Sequence, residues 1–251
     1  MDEVGAVVFD TDGVLLATAA RHAAAWKETF DGCLAEWEPH ARERPHPFDA
    51  VREYRELVDG RSRLDGVRAF LTARDIDLLP GTPEDPPGCA TVHAVAARKE
   101  EVFSEMLRAD GVRVFDEVRP VLLRMREQAI RCADVSASRH ARSLLDSADL
   151  IGLFDAVVDG QDPAALALPG KPDPALFLEA ADRLGTVPAR AAVVEDALAG
   201  VDAGRRGRFH LVVGLNRDDD PQMTDALRAH GAHLVLPDLG GLPAALEGPR
   251  P

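Results

Sequence analysis

Apolar positions along the chain follow two patterns. Short unbroken runs rich in β-branched residues recur at Val4–Phe9, Ile130–Val135, Phe154–Val158, Ala191–Val194, Leu211–Val213 and Leu234–Leu236. Continuous rather than alternating apolarity suits strands covered on both faces, as in a parallel sheet. Between these runs the apolar positions repeat at helical spacing. Val118, Leu122 and Met125 fall at i, i+4 and i+7, and Asp173-Pro174 opens a helix that Gly185 can end. Strands alternating with helices from residue 111 onward predict a doubly wound α/β core.

The stretch from 16 to 110 reads differently. It offers helical segments near 19–30, 48–58, 62–74 and 91–109 and no strand. Its main break is the loop LPGTPEDPPGC at 79–89, where six of eleven residues are Pro or Gly. The expected organisation is therefore a Rossmann-like core made of 1–15 and 111–251, with a helical cap domain, 16–110, inserted after the first strand. No internal repeat is visible, and the closing LPAALEGPRP reads as a frayed tail.

Composition narrows the function classes. With 251 residues the chain can form one large domain or a core carrying an insert. A hydrophobic content of 46% and a charged content of 29% are those of a globular protein. The net charge of −14 sets the surface against nucleic acid and anionic membranes, so no nucleic acid and no membrane is expected as a partner. A small anionic substrate then needs a local basic pocket or a bound cation. Three cysteines, Cys33, Cys89 and Cys132, are scattered with no C-x-x-C pair, which argues against a disulfide framework and for a reducing compartment. With no leader-like or membrane-length apolar segment, a cytoplasmic protein is expected; a monomer is expected as well.

The candidate chemistry lies where the predicted strands end. The first run stops in Asp10-Thr11-Asp12-Gly13. The carboxyl ends of strands are where open α/β sheets bind ligands. Two carboxylates there repel unless a hard cation such as Mg²⁺ offsets them, and with a metal one can attack phosphorus while the other moves a proton. Asp-Gly after a strand is also ordinary turn chemistry, so this tetrapeptide does not decide the matter alone. After the second run come Ser136-Ala137-Ser138, small hydroxyl residues read as opening a helix whose free N–H groups can hold a phosphate. Gly170-Lys171-Pro172-Asp173-Pro174 carries a lysine on a stiff turn before a helix, and the fourth run ends in Glu195-Asp196. A hydroxyl N-cap, a surface lysine and acidic residues at a helix start are each ordinary singly. Their joint occurrence at successive strand ends is not. Asp134 interrupts an apolar strand, where a buried carboxyl needs a partner or a raised pKa.

Taken in order, FDTDGV, VSASR, GKPDP and VVEDALAG resemble the four motifs of the haloacid dehalogenase (HAD) superfamily, and more narrowly its β-phosphoglucomutase branch. The resemblance covers nearly the whole chain. It implies that Asp10 is the nucleophile that becomes an aspartyl-phosphate and that Asp12 is the acid and base. It implies that Asp10, the backbone carbonyl of Asp12, and Asp196 with Glu195 hold Mg²⁺. Ser136, the Ala137 amide and Lys171 are then expected to grip the transferring phosphoryl group. The insert corresponds to the family's cap. There Thr18, His22 and Trp26, spaced at i, i+4 and i+8, are implied to face the substrate, with the tryptophan beside the sugar. The stretch VDGRSRLDG resembles the specificity loop and puts Arg63 on the family's phosphate-gripping arginine, with Ser138 and Arg139 completing a second anion site. His140 stands where close mutases carry asparagine.

The function so implied is a Mg²⁺-dependent phosphotransferase acting on a hexose phosphate, as a β-phosphoglucomutase does, with a sugar-phosphate phosphatase as the alternative. A second anion site favours the mutase, which must hold a bisphosphate by both ends. A non-catalytic sugar-phosphate sensor would be expected to have lost one of Asp10, Asp12, Lys171 or Asp196, and all four are present.

Overall fold

The computed structural model describes residues 4–37, 46–162 and 168–247. The chain divides into two compact units, Met1–Ala17 with Arg113–Pro251, and Thr18–Val112. Each crossing falls two residues later than the apolar pattern placed it. The first strand, β1 (Ala6–Asp10), is buried throughout, and the chain then leaves for the helical unit.

Among the described residues three α-helices build that unit: α1 (Ala19–Trp37), α2 (Arg63–Ala73) and α3 (Val92–Asp110). Helix α1 runs past the expected end at residue 30 because Cys33 and Leu34 continue its buried stripe. Ser62 caps α2 by accepting from the Asp65 N–H at 3.2 Å, while its hydroxyl donates to the Asp65 carboxylate at 2.6 Å. Thr91 caps α3 through the Ala94 N–H at 3.1 Å. The helix expected over 48–58 reduces to one wide turn, Tyr54–Val58, closed by the Asp59 N–H on the Tyr54 carbonyl at 2.9 Å. The unit's core is aromatic. Phe30 stacks on Phe70 with centroids 3.8 Å apart, and Trp26 and Phe48 pack on Phe30 at 4.9 and 5.1 Å.

The cysteine reading needs correction here. Cys33 of α1 and Cys89 of the Pro/Gly loop form a disulfide, with Cα atoms 5.3 Å apart, and Cys132 alone is a free thiol. A sequence separation of 56 residues hides a proximity created by folding the loop back onto α1. Cysteine spacing therefore carries no argument about compartment for this chain.

The other unit carries the sheet. Strands β2 (Arg131–Val135), β3 (Ala156–Val158), β4 (Ala191–Glu195), β5 (Leu211–Leu215) and β6 (Leu234–Leu236) join β1 in the order β3-β2-β1-β4-β5-β6. All five pairings are parallel, as the unbroken apolar runs require. The flanking helices are α4 (Val118–Glu127), α5 (Ala141–Ser147), α6 (Ala175–Arg183), α7 (Leu198–Arg206), α8 (Pro221–His230) and α9 (Leu242–Glu247). Ala6, Val8, Ala133, Val135 and Val193 form a core with Phe177, Ala180, Val201 and Leu227 from α6, α7 and α8. Helix α4 packs on β2 and α9 on α4. The segment LPAALE is thus a helix with Leu242 and Pro243 buried rather than a frayed tail. Residues 248–251 lie outside the described residues.

Helix α1 and the 79–89 loop are cross-linked, so denatured but unreduced protein should titrate a single thiol. Closing a loop of this length restricts the unfolded chain by about 4 kcal/mol, so Cys89→Ser should lower the stability of the helical unit by up to about that amount. Urea unfolding of the oxidised wild type beside Cys89→Ser measures this. Three titratable thiols, or equal stabilities, would show that the pair is not joined in solution.

Candidate active site

Because every strand is parallel, all carboxyl ends share one edge. Asp10 ends β1, Ser136 follows β2 and Glu195-Asp196 close β4, and these three strands are adjacent at the centre of the sheet. Lys171 reaches them from the turn before α6. Its side chain is fully buried, with Nζ donating to Asp10 Oδ1 and, at 2.6 Å, to Glu195 Oε1. Burial alone would push the lysine toward its neutral form. The Asp10 and Glu195 carboxylates outweigh burial and hold its pKa above the ordinary value. Burial pushes the Asp10 carboxyl well above its usual range, with Lys171 opposing and Glu195 and Asp12 adding to the rise. Asp10 therefore calls for further positive charge.

A donor set for such a charge is present. Asp10, Glu195 and Asp196 each offer an oxygen within 4.8 Å of the others, the one such group among the described residues. All-oxygen ligands fit a hard divalent cation. Glu195 is already engaged at both oxygens, by Lys171 and by the Ala197 N–H at 2.9 Å, whereas Asp196 is less buried. Two glycines make room for these groups. A Cβ at Gly13 would lie 1.8 Å from Asp196 Oδ2, and one at Gly200 1.7 Å from Glu195 Oε1.

The hydroxyl segment is a turn, not the first turn of a helix. Ser136 Oγ lies 3.3 Å from Asp12 Oδ2 and accepts the Ser138 N–H at 3.0 Å, and Ser138 Oγ accepts the His140 N–H at 3.2 Å. Helix α5 opens only at Ala141, so the expected helix N-terminus at 136–138 is displaced. The serine side chains satisfy the local N–H groups and delay the helix. Ala137 and Ser138 are half-buried and Arg139 is exposed.

In the helical unit, Thr18 precedes α1, its carbonyl accepting from the N–H groups of Arg21 and His22 at 3.0 Å each, so it stands one helical turn before His22. His22 stacks on Phe103 with centroids 3.9 Å apart and meets Lys99 Nζ through Nδ1 at 2.7 Å. Lys99 is 2% exposed and lies over the Phe103 and Trp26 rings at 4.3 and 5.4 Å. Trp26 is 3% exposed and belongs to the aromatic core of this unit. Arg63 pairs with Glu100 of α3. The pattern of α3 gave no reason to single out Lys99 or Glu100, which look like ordinary helical surface charges in sequence.

Sequence reading also passed over Arg217, which follows β5. The segments leaving and re-entering the sheet unit pair with each other, Ala17 N–H on Arg113 O at 2.8 Å. Arg217 fastens both. Its Nε and Nη2 donate to the Gly13 and Val14 carbonyls at 2.8 and 2.7 Å, its Nη1 meets Glu117 at 2.7 Å, and its guanidinium lies 3.5 Å above Phe115. Asp134 faces away from the α6 side of the sheet. Burial raises its pKa to about 7, with the Thr11 hydroxyl opposing and Asp12 adding.

A parallel sheet of this order, with paired carboxylates and a buried lysine at its carboxyl edge, defines a class, and the haloacid dehalogenase-like hydrolase family matches residues 4–208. The chain belongs to that family. It is 42% identical over 241 residues to the β-phosphoglucomutase of Mycobacterium bovis, covering 96% of this chain and 92% of that protein. It is 32% identical over 219 residues to the β-phosphoglucomutase of Bacillus subtilis, covering 83% of each. A putative β-phosphoglucomutase from Bacteroides vulgatus shares the fold, with a TM-score of 0.74, 22% identity and coverage of 98% of this chain and 90% of that one.

Asp134 makes stability depend on pH with a definite sign. Its folded pKa of about 7 lies above the reference 3.8, so the folded state holds the proton more tightly. The resulting stability is complete below the unfolded value and is lost as pH rises to about 7. Asp134→Asn cannot ionise, so its stability relative to wild type should grow from about pH 4 to about pH 7 and then level off. Urea titrations across that range test this. A difference that stays flat would mean that Asp134 titrates alike in both states.

Proposed function

We propose that the chain is a Mg²⁺-dependent phosphotransferase that interconverts β-glucose 1-phosphate and glucose 6-phosphate. The observation that carries this reading is the meeting of Asp10, Lys171 and Glu195 beside Asp196 at the sheet edge, in a chain so similar to the mycobacterial mutase. Asp10, the Asp12 carbonyl, Glu195 and Asp196 are the proposed Mg²⁺ ligands. The ion when bound supplies positive charge against the phosphoryl oxygens.

The rest is assigned to the chain's own groups. Lys171 offsets part of the charge on Asp10 and, with Ser136 and the Ala137 N–H, grips the phosphoryl group. A carboxylate oxygen of Asp10 attacks phosphorus, the bond from phosphorus to the sugar oxygen breaks, and Asp12 gives that oxygen its proton. In the second half Asp12 takes the proton of the incoming hydroxyl, whose oxygen attacks phosphorus as the bond to Asp10 breaks. A mutase must hold the phosphate that is not reacting, and Arg63, Ser138 and Arg139 are assigned to it. Thr18, His22 and Trp26 are assigned to the sugar end, with Trp26 contributing chiefly as a packed wall.

Incubation with Mg²⁺, β-glucose 1-phosphate and a trace of the 1,6-bisphosphate should give glucose 6-phosphate without free phosphate. Phosphate release instead would make the enzyme a sugar-phosphate phosphatase. Asp10→Asn should fold and retain less than about one part in 10⁴ of wild-type turnover. Substantial activity in that variant would show the nucleophile is wrongly assigned.

Arg63→Ala should separate mutase from phosphatase. Loss of a charge-assisted contact costs roughly 2–4 kcal/mol, or about 30- to 1000-fold in kcat/KM for isomerisation. Hydrolysis of acetyl phosphate, which has no distal phosphate, should barely change. Equal losses on both substrates would remove the distal role of Arg63.

A further inference from the structure

Asp134 is fully buried in β2, where the neighbouring positions are apolar. Its Oδ1 accepts the Thr11 hydroxyl at 2.7 Å, and its Oδ2 has no hydrogen-bond partner. A buried carboxyl with one oxygen unsatisfied is an expense that an apolar residue of similar size would avoid. Such local violations concentrate at functional sites.

The sheet explains what the carboxyl reaches. In the β1–β2 register Phe9 stands opposite Asp134 and Asp10 opposite Val135. Strand alternation carries Thr11 to the Phe9 side, opposite to Asp10. The Thr11 side chain, also fully buried, is thereby anchored to β2 beneath the catalytic turn. Its backbone carbonyl accepts the Leu15 and Leu16 N–H groups at 3.0 Å each, and the Gly13 N–H returns to Leu16 O at 2.8 Å. Asp12 sits between these fixed points. Thr11 is therefore held through its side chain on one side and its carbonyl on the other, and Asp134 supplies the side-chain anchor.

We propose that Asp134 is a positioning residue for Asp12, acting through the Thr11 hydroxyl to fix the peptide that carries the acid–base group. The proposal rests on the reading of Asp12 as acid and base. It goes beyond that reading by giving a role to two residues that touch neither substrate nor metal.

A displaced acid has a distinct signature. It slows departure of an alkoxide, which needs the proton, far more than departure of p-nitrophenolate, which does not. The test measures kcat for glucose 1-phosphate turnover and for p-nitrophenyl phosphate hydrolysis in Thr11→Val, Asp134→Leu, the double variant and Asp134→Asn. The first two should each lose about 10- to 100-fold on the sugar phosphate and less than about threefold on the nitrophenyl ester. The double variant should lose no more than either single one, because both remove the same contact. Asp134→Asn keeps an acceptor for Thr11 and should stay within about threefold of wild type on both substrates. Thermal melts should show Asp134→Leu as stable as wild type or more so, which a purely structural role would not allow.

Equal losses on the two substrates, additive losses in the double variant, or an unaffected Thr11→Val would overturn the proposal. If Asp134→Leu fails to fold, Thr11→Val and Asp134→Asn decide it alone. Asp12→Asn serves as the control. Should it lack the leaving-group selectivity, the assignment of Asp12 fails, and that failure is distinct from failure of the brace.

Discussion

The site depends on one buried ammonium. Lys171 lies between Asp10 and Glu195 with no exposed side-chain surface, and without it the carboxyl edge of the sheet would gather Asp10, Glu195, Asp196 and Asp12 with nothing to oppose them. Several carboxylates in a low-dielectric site cannot all ionise unaided. Lys171 offsets part of the charge that burial makes costly on Asp10 and ties β1 to β4 through their side chains. Its Nζ also lies over the Phe177 ring of α6, 4.8 Å from the ring centre.

Much of this was legible because the groups sit where apolar runs stop. The strands were readable from unbroken valine-rich segments, since a parallel sheet buries both faces, and Asp10, Ser136 and Glu195 are each marked by an abrupt change from apolar to polar. What escaped was whatever depends on long-range contact. The Cys33–Cys89 bond joins residues 56 apart in a loop with no periodicity. Lys99 and Glu100 look like solvated charges of α3, and only the packing of α3 against α1 and α2 turns them toward His22 and Arg63. The first turn of α5 was misread because serines beside a strand end can either cap a helix or satisfy a turn, and sequence does not say which. The tail was misread because burial of Leu242 and Pro243 is decided by α4 and not by local propensity.

The helical unit handles charge by the same means as the sheet unit. Lys99 is buried against His22 and two aromatic rings, and Arg63 is tied to Glu100. Both cations are held by partners within the unit. Lys99 rests on the Trp26 end of the aromatic cluster that runs from Trp26 to Phe70. Trp26 thus belongs to the core of this unit.

The glycines show how far carboxylate packing has written the motifs themselves. Asp196 occupies the space that a side chain at residue 13 would fill, and Glu195 the space of one at residue 200. Gly13 also has φ of 82°, where a Cβ is strained whatever the room. The acidic pair at the end of β4 thus needs two glycines, Gly13 after β1 and Gly200 from its own neighbourhood. Asp10-Thr11-Asp12-Gly13 and Glu195-Asp196 followed by Gly200 are then one packing solution read at two places in the chain. That is why neither stretch meant much until the other was found beside it, and why the odd members of the set, Thr11 and Asp134, stand out. They are the polar pair on the opposite side of the same turn, where no carboxylate is needed for charge and one is present all the same.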